Sequence, residues 1–95
     1  VEFDLSEEAY RWVRRELDSV TLREIARLMH QHVAAGGKVD EVVERRPEWR
    51  DEYEFHHDLR LEIAGKKVYI ESRLHYRLPV ESDASSIVVV NIHQV

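Results

Sequence analysis

The spacing of apolar residues changes once along this chain, and that change limits its fold more than any other feature. Up to residue 35 the apolar side chains recur every three or four positions, and from Glu52 onward they recur every two. A chain that switches period in this way is built from helices first and strands second, which is the α+β class.

The helical half carries its own start and stop signals. Ser6 precedes "EEAYRWVRREL", with Glu7 and Glu8 where the helix dipole favours acids, and Leu5 and Tyr10 at the spacing of a hydrophobic staple. Ala9, Val13, Leu17 and Val20 form one stripe, so a helix is expected near 7–18. "TLRE" at 21–24 reads as a capping box, Leu22, Ile25, Ala26, Met29 and Val33 continue the stripe, and Gly36 and Gly37 end a second helix near 22–35. Val39, Val42 and Val43 before Pro47 suggest a short third helix near 39–45.

Strands are expected near 52–63, 67–78 and 87–93, the first two closing a hairpin at Gly65. The expected architecture is a single domain over 1–95. Two N-terminal helices and a short third helix cover one face of a three-stranded antiparallel β-meander, with "VEF" at the start as a possible extra strand. The expected core is Val13, Leu17, Ile25, Met29, Val33, Phe55, Leu59, Leu61, Ile70, Leu74, Val88, Val90 and Ile92. Since "IVVVNI" at 87–92 is apolar on both faces and ends the meander, self-association to a homodimer is expected through this strand or its exposed Ile87 and Val89.

Composition removes several function classes. There is no Cys, so neither a disulfide nor a thiolate metal site exists, which fits a cytoplasmic protein. No apolar run approaches the roughly 18 residues of a membrane span, and "VEFDLSEEAY" has no signal-peptide pattern, so no membrane association is expected. The net charge of −5 argues against attraction of nucleic acid by the whole surface. The segment 56–77 differs, with Arg60, Lys66, Lys67, Arg73 and Arg77 against Asp58, Glu62 and Glu71.

Register decides which of these groups meet. With Gly65 and Lys66 as a two-residue loop, opposed residue numbers sum to 131: Arg60 faces Glu71, Asp58 faces Arg73, Glu54 faces Arg77 and His56 faces His75. With Ala64 and Gly65 as the loop they sum to 129, and Asp58 faces Glu71. The first register is preferred because it pairs opposite charges. In either register His56, Arg73, His75, Asn91 and His93 share the face away from the helices. A metal site on His56, His75 and His93 lacks a supporting carboxylate spacing, so neither metal nor cofactor is expected. His57 falls on the apolar face as a hydrogen-bonded core histidine, and Trp12 and Trp49 read as packing residues. Much of the polar set also serves simply to solvate the uncovered face.

The progression "ARLMHQHVAAGGKVDEVVERRPEW", then a strand, "GKKVYIE" and "IVVVNIH" resembles small bacterial proteins of the RelE-like and BrnT- or MqsR-like toxin grouping, in element order over residues 21–95. It is also similar to small bacterial domains with two helices packed on an antiparallel sheet. The toxin resemblance implies cleavage of messenger RNA by polar groups on a sheet face, with an antitoxin-like protein as partner. The positions matching in kind are Arg60, Arg73, His75 and Arg77, with Tyr69 beside them. Such toxins are typically basic and begin with a strand, whereas this chain is acidic and opens on a helix pattern. On this basis His75 is expected as proton donor or acceptor, Arg73 and Arg77 as phosphate clamps, and Arg60, Tyr69, His56 and His93 as substrate contacts. The competing expectation is a non-enzymatic interaction or dimerisation domain.

Overall fold

The computed structural model describes residues 2–75 and 86–95. Its elements are β1 (Glu2–Leu5), α1 (Glu7–Glu16), α2 (Leu22–Ala34), β2 (Val39–Val43), β3 (Phe55–Ile63), β4 (Lys66–His75) and β5 (Ser86–Gln94). The strands form one sheet in the order β1-β5-β4-β3-β2, with β1 parallel to β5 and every other pair antiparallel. The class is α+β, but the three-stranded meander with a short third helix is replaced by a five-stranded mixed sheet and two helices.

Two short segments account for the difference. The stretch expected as a third helix is β2, hydrogen-bonded along β3. Its three valines suit a pleated strand, and the nine residues between Gly37 and Pro47 are too few for a stable helix without a packed face. At the other margin β1 lies along Ser86–Val89. β1 therefore covers the Ser86–Val89 part of β5, which is not the terminal strand that the expected meander made it.

Both helices begin where their caps dictate. Ser6 Oγ accepts from the Ala9 amide at 3.2 Å, and Thr21 Oγ1 accepts from the Glu24 amide at 3.1 Å. The Glu24 carboxylate is held by Arg27 rather than reaching back to the cap. Ser6 also ties α1 to the sheet, its amide donating to Val89 O at 2.8 Å and its hydroxyl to Val90 O at 2.7 Å.

Those last two contacts flank an irregularity in β5. Along β4, Glu71 is opposite Asn91 and Ser72 opposite Val89, so Val90 is an extra residue. The bulge turns Val89 and Ile92 both toward the helices, where they are 0% and 2% exposed, in place of the expected Val88, Val90 and Ile92. The core joins Leu5, Ala9, Val13, Leu17, Ile25 and Met29 to Leu59, Ile63, Val68, Ile70, Val89 and Ile92. Leu59 and Ile70 stand opposite each other inside it, as the strand phase required. Leu61 packs against its margin, Phe55 is half-buried, and the Leu74 side chain lies outside the described residues. Val33 is 57% exposed, because the apolar stripe of α2 outlasts the surface it packs on.

The hairpin register is the one that sums to 129: Leu59 faces Ile70, Arg60 faces Tyr69 and Asp58 faces Glu71. Ala64 and Gly65 form the loop, with φ of 51° and 79°. Two consecutive positive φ values define a type I′ turn, whose twist matches the flanking strands. Position 64 thus holds an alanine in a region that costs an L-residue roughly 1–2 kcal/mol. Ala64→Asn, which suits that turn, is expected to raise stability by about 0.5–1 kcal/mol in urea unfolding. An unchanged or lower midpoint would contradict the assigned loop.

Candidate functional site

The face turned away from the helices is graded by burial from one end to the other. At one end, the eleven residues 44–54 linking β2 to β3 fold back over the sheet as a series of turns, closed by the Glu44 amide on Glu54 O at 2.8 Å. Within this segment the amides of Trp49 and Arg50 donate to Arg46 O, and that of Tyr53 to Trp49 O. Beneath it lies Arg73, whose side chain is 0% exposed.

A buried guanidinium requires anionic partners, and it has two. Arg73 Nη1 donates to Glu71 Oε2 at 2.7 Å, and its other terminal nitrogen makes a close ion pair with the buried Glu44 carboxylate. The guanidinium carbon also lies 5.1 Å from the Trp49 ring centroid, within cation–π range. Arg46 grips Glu71 with both terminal nitrogens, at 2.8 and 3.1 Å, from a half-exposed position. Burial alone would raise the Glu71 carboxyl, but hydrogen bonds from Arg73 and then Arg46 outweigh it and hold it below the ordinary glutamate range.

The neighbouring row along the strands is Asp58, Glu71 and Asn91 on β3, β4 and β5. Two carboxylates directly opposite each other destabilise a ladder unless each is neutralised. Glu71 has its arginines. Asp58 has His56, whose Nδ1 is 3.0 Å from Asp58 Oδ1 with both side chains 14% exposed, and the hydroxyl of Tyr69. In the neutral tautomer with its proton on Nδ1, the ring donates to Asp58 Oδ1 and Nε2 keeps a lone pair. Burial first, then the hydrogen bond to Asp58, push the Tyr69 hydroxyl up to about 12, so it remains a donor at neutral pH.

The next row is Arg60, Tyr69 and His93. The Arg60 guanidinium lies 5.3 Å from the Tyr69 ring centroid, and the Tyr69 and His93 centroids are 4.8 Å apart with a 33° tilt. Arg60 and His93 are exposed, so this end of the face is open to solvent.

The structure therefore divides the residues named from sequence. His56, Arg60, Tyr69 and His93 are brought together on adjoining rows. Arg73 is not an accessible phosphate clamp: it is buried and committed to Glu44 and Glu71. His75 stands opposite Ser86 in the ladder, but its side chain and the whole of Arg77 lie outside the described residues. His57 is a half-buried residue bonded to Glu41 at 3.1 Å. Trp49 packs against Arg73 and Tyr53. Sequence reasoning missed Glu44 and Arg46, because their partners appear only when the 44–54 segment folds over the sheet. It missed the Asp58–Glu71 opposition by choosing the register that avoided it.

His56, Asp58 and Glu71 also have ligand-type atoms all within 4.8 Å of one another, the donor set a divalent cation would use. Guanidinium N–H groups already occupy three of the roughly four lone-pair sites on Glu71, which weakens it as a ligand. The His56–Asp58 imidazole–carboxylate contact is therefore the candidate element for proton transfer on this face. Comparison with protein-family models, curated proteins and solved structures finds no match to this chain.

Two outcomes follow from the buried network. Arg73→Ala leaves Glu44 and Glu71 without their shared cation and should lower stability by about 3–5 kcal/mol in chemical denaturation; a fold indifferent to it would contradict the burial. The stabilisation from Glu71 is complete above the ordinary glutamate pKa of about 4.3 and is lost as pH falls through its lower folded value. Glu71→Gln should therefore flatten the acid limb of the stability–pH profile, and an unchanged limb would show the carboxylate contributes nothing there.

Proposed function

We propose that this chain is an RNA-cleaving domain of the toxin-like kind, working at the exposed end of this sheet face. The observation that supports it is the His56 Nδ1–Asp58 Oδ1 contact of 3.0 Å, which orients an imidazole as a proton acceptor beside exposed guanidinium groups. His56 Nε2 removes the proton from a ribose 2′-hydroxyl. The 2′-oxygen attacks the adjacent phosphorus, the bond from phosphorus to the 5′-oxygen breaks, and the leaving oxygen takes a proton from water. The products are a 2′,3′-cyclic phosphate and a 5′-hydroxyl. Arg60, half-exposed and 3.4 Å from Asp40, supplies positive charge for the phosphorane. His75, the last residue of β4, stays within the proposal as a further group, as does Arg77, which lies outside the described residues. A messenger-RNA substrate implies a cytoplasmic protein, and an antitoxin-like partner would act by covering this face.

A second reading rests on β2. No strand pairs with its outer edge among the described residues, and Val39, Val42 and Val43 are 37%, 39% and 51% exposed. A non-enzymatic interaction domain would recruit a second copy or a partner strand there.

Purified protein would be assayed on free and ribosome-bound messenger RNA. His56→Ala is expected to lower cleavage by about 10²- to 10⁴-fold. An all-DNA oligonucleotide should stay intact, and a chelator should leave the rate unchanged. Absence of cleavage by the folded wild type on both substrates would remove this reading and leave the β2 interaction in its place.

A further inference from the structure

The three central strands place a cation and two rings in one line across the open face. Arg60, Tyr69 and His93 are consecutive cross-strand partners on β3, β4 and β5. Side chains in such a line stand upright and stack at the strand spacing, roughly 4.7–4.9 Å, and the Tyr69–His93 centroid distance of 4.8 Å matches it. Arg60 occupies one face of the Tyr69 ring and His93 lies on its other side, so Tyr69 has no free face. Its hydroxyl is further anchored on Asp58.

The stack is thus closed at its centre and unfinished at its His93 end. His93 is exposed. The strand that flanks β5 stops short of it, because β1 pairs only from Ser86 to Val89 before Ser6 turns the chain into α1. Among the described residues no strand adjoins β5 at His93. The β5 bulge makes this arrangement possible: without the extra Val90, Val89 and Ile92 could not both face the helices while Asn91 and His93 face outward.

We propose that His93 caps this stack with a nucleobase of single-stranded RNA, so that the Arg60–Tyr69–His93 line is the base subsite of the cleavage site proposed above. Every base offers a π-face, so the subsite tolerates all four bases but excludes a duplex, whose base faces are already covered. The line lies one same-face step, roughly 6.6 Å along the strands, from the Asp58 row that orients His56. His93 on β5 and His56 on β3 stand two strands apart, roughly 9.5 Å across the sheet, so a base stacked on His93 holds a nucleotide flanking the one at the His56 imidazole. The inference rests on the RNA reading for its ligand, and its test does not depend on cleavage.

The probe is a fluorescein-labelled uridine decamer with 2′-fluoro sugars, which lacks the attacking hydroxyl, titrated with the full chain and followed by anisotropy. His93→Ala should weaken binding by about 5- to 100-fold, the range for one base stacked on a side chain. Tyr69→Ala should do the same by collapsing the line, while Tyr69→Phe, which keeps the ring, should retain most of the affinity. Removing the nucleobase at successive positions should identify one position at which His93→Ala has no further effect. Wild-type affinity in folded His93→Ala, or a His93→Ala loss that persists at every abasic position, would overturn the stacking site. Binding that depends on His93 without any cleavage of ordinary RNA would support the stacking site and defeat the cleavage reading. Normal cleavage with KM unchanged by His93→Ala would do the opposite.

Discussion

Arg73 is a full positive charge with no exposed side-chain surface, and the rest of the sheet face is arranged around satisfying it. Breaking a pair of this kind is costly because it strands a charge in a poor solvent. Glu71, two residues away on the same strand face, provides one anion, and Glu44 provides the other. Recruiting Glu44 brings the 44–54 segment across the sheet. That segment carries Trp49 onto the guanidinium and Arg46 onto Glu71. With Glu71 neutralised twice over, the ladder can tolerate Asp58 directly opposite it, and Asp58 is left to orient His56 and to accept from Tyr69. One buried charge therefore ties together the 44–54 segment, the Asp58–Glu71 opposition and the His56–Asp58 contact.

Much of this fold is legible in the sequence, and the misses have physical causes. The two helices begin at their capping hydroxyls and the hairpin alternates as the apolar period requires, since both signals are local. Cross-strand charge pairing favours the other register, whereas the charges here are met along β4 and by a distant segment. The positive φ values at Ala64 and Gly65 are what identify the loop, and an alanine gives little warning of the first. β2 was hidden because Val39, Val42 and Val43 suit a helix in spacing while suiting a strand in chemistry. The bulge at Val90 was invisible in a run of apolar residues, and it exchanged Val88 and Val90 for Val89 in the core.

The candidate site was legible as a set of residue types on one face and not as an arrangement. Alternation alone assigns His56, Arg60, Tyr69, Arg73 and His93 to the same side. Which of these are accessible depends on how far the 44–54 segment reaches, and that is a long-range property. The outcome is a gradient of burial along the strands: ion pairs under cover at Arg73, a half-buried imidazole–carboxylate contact at His56 and Asp58, and the Arg60–Tyr69–His93 row at the open end.

The most direct test of this gradient is a map of where RNA touches the protein. Backbone and histidine-ring NMR signals would be followed while a non-cleavable single-stranded RNA is added. Shifts concentrated on His56, Asp58, Arg60, Tyr69, Asn91 and His93, with α1 and α2 silent, are the expected result. Shifts confined to β2 and its valines, or none at saturating RNA, would contradict an RNA site on this face.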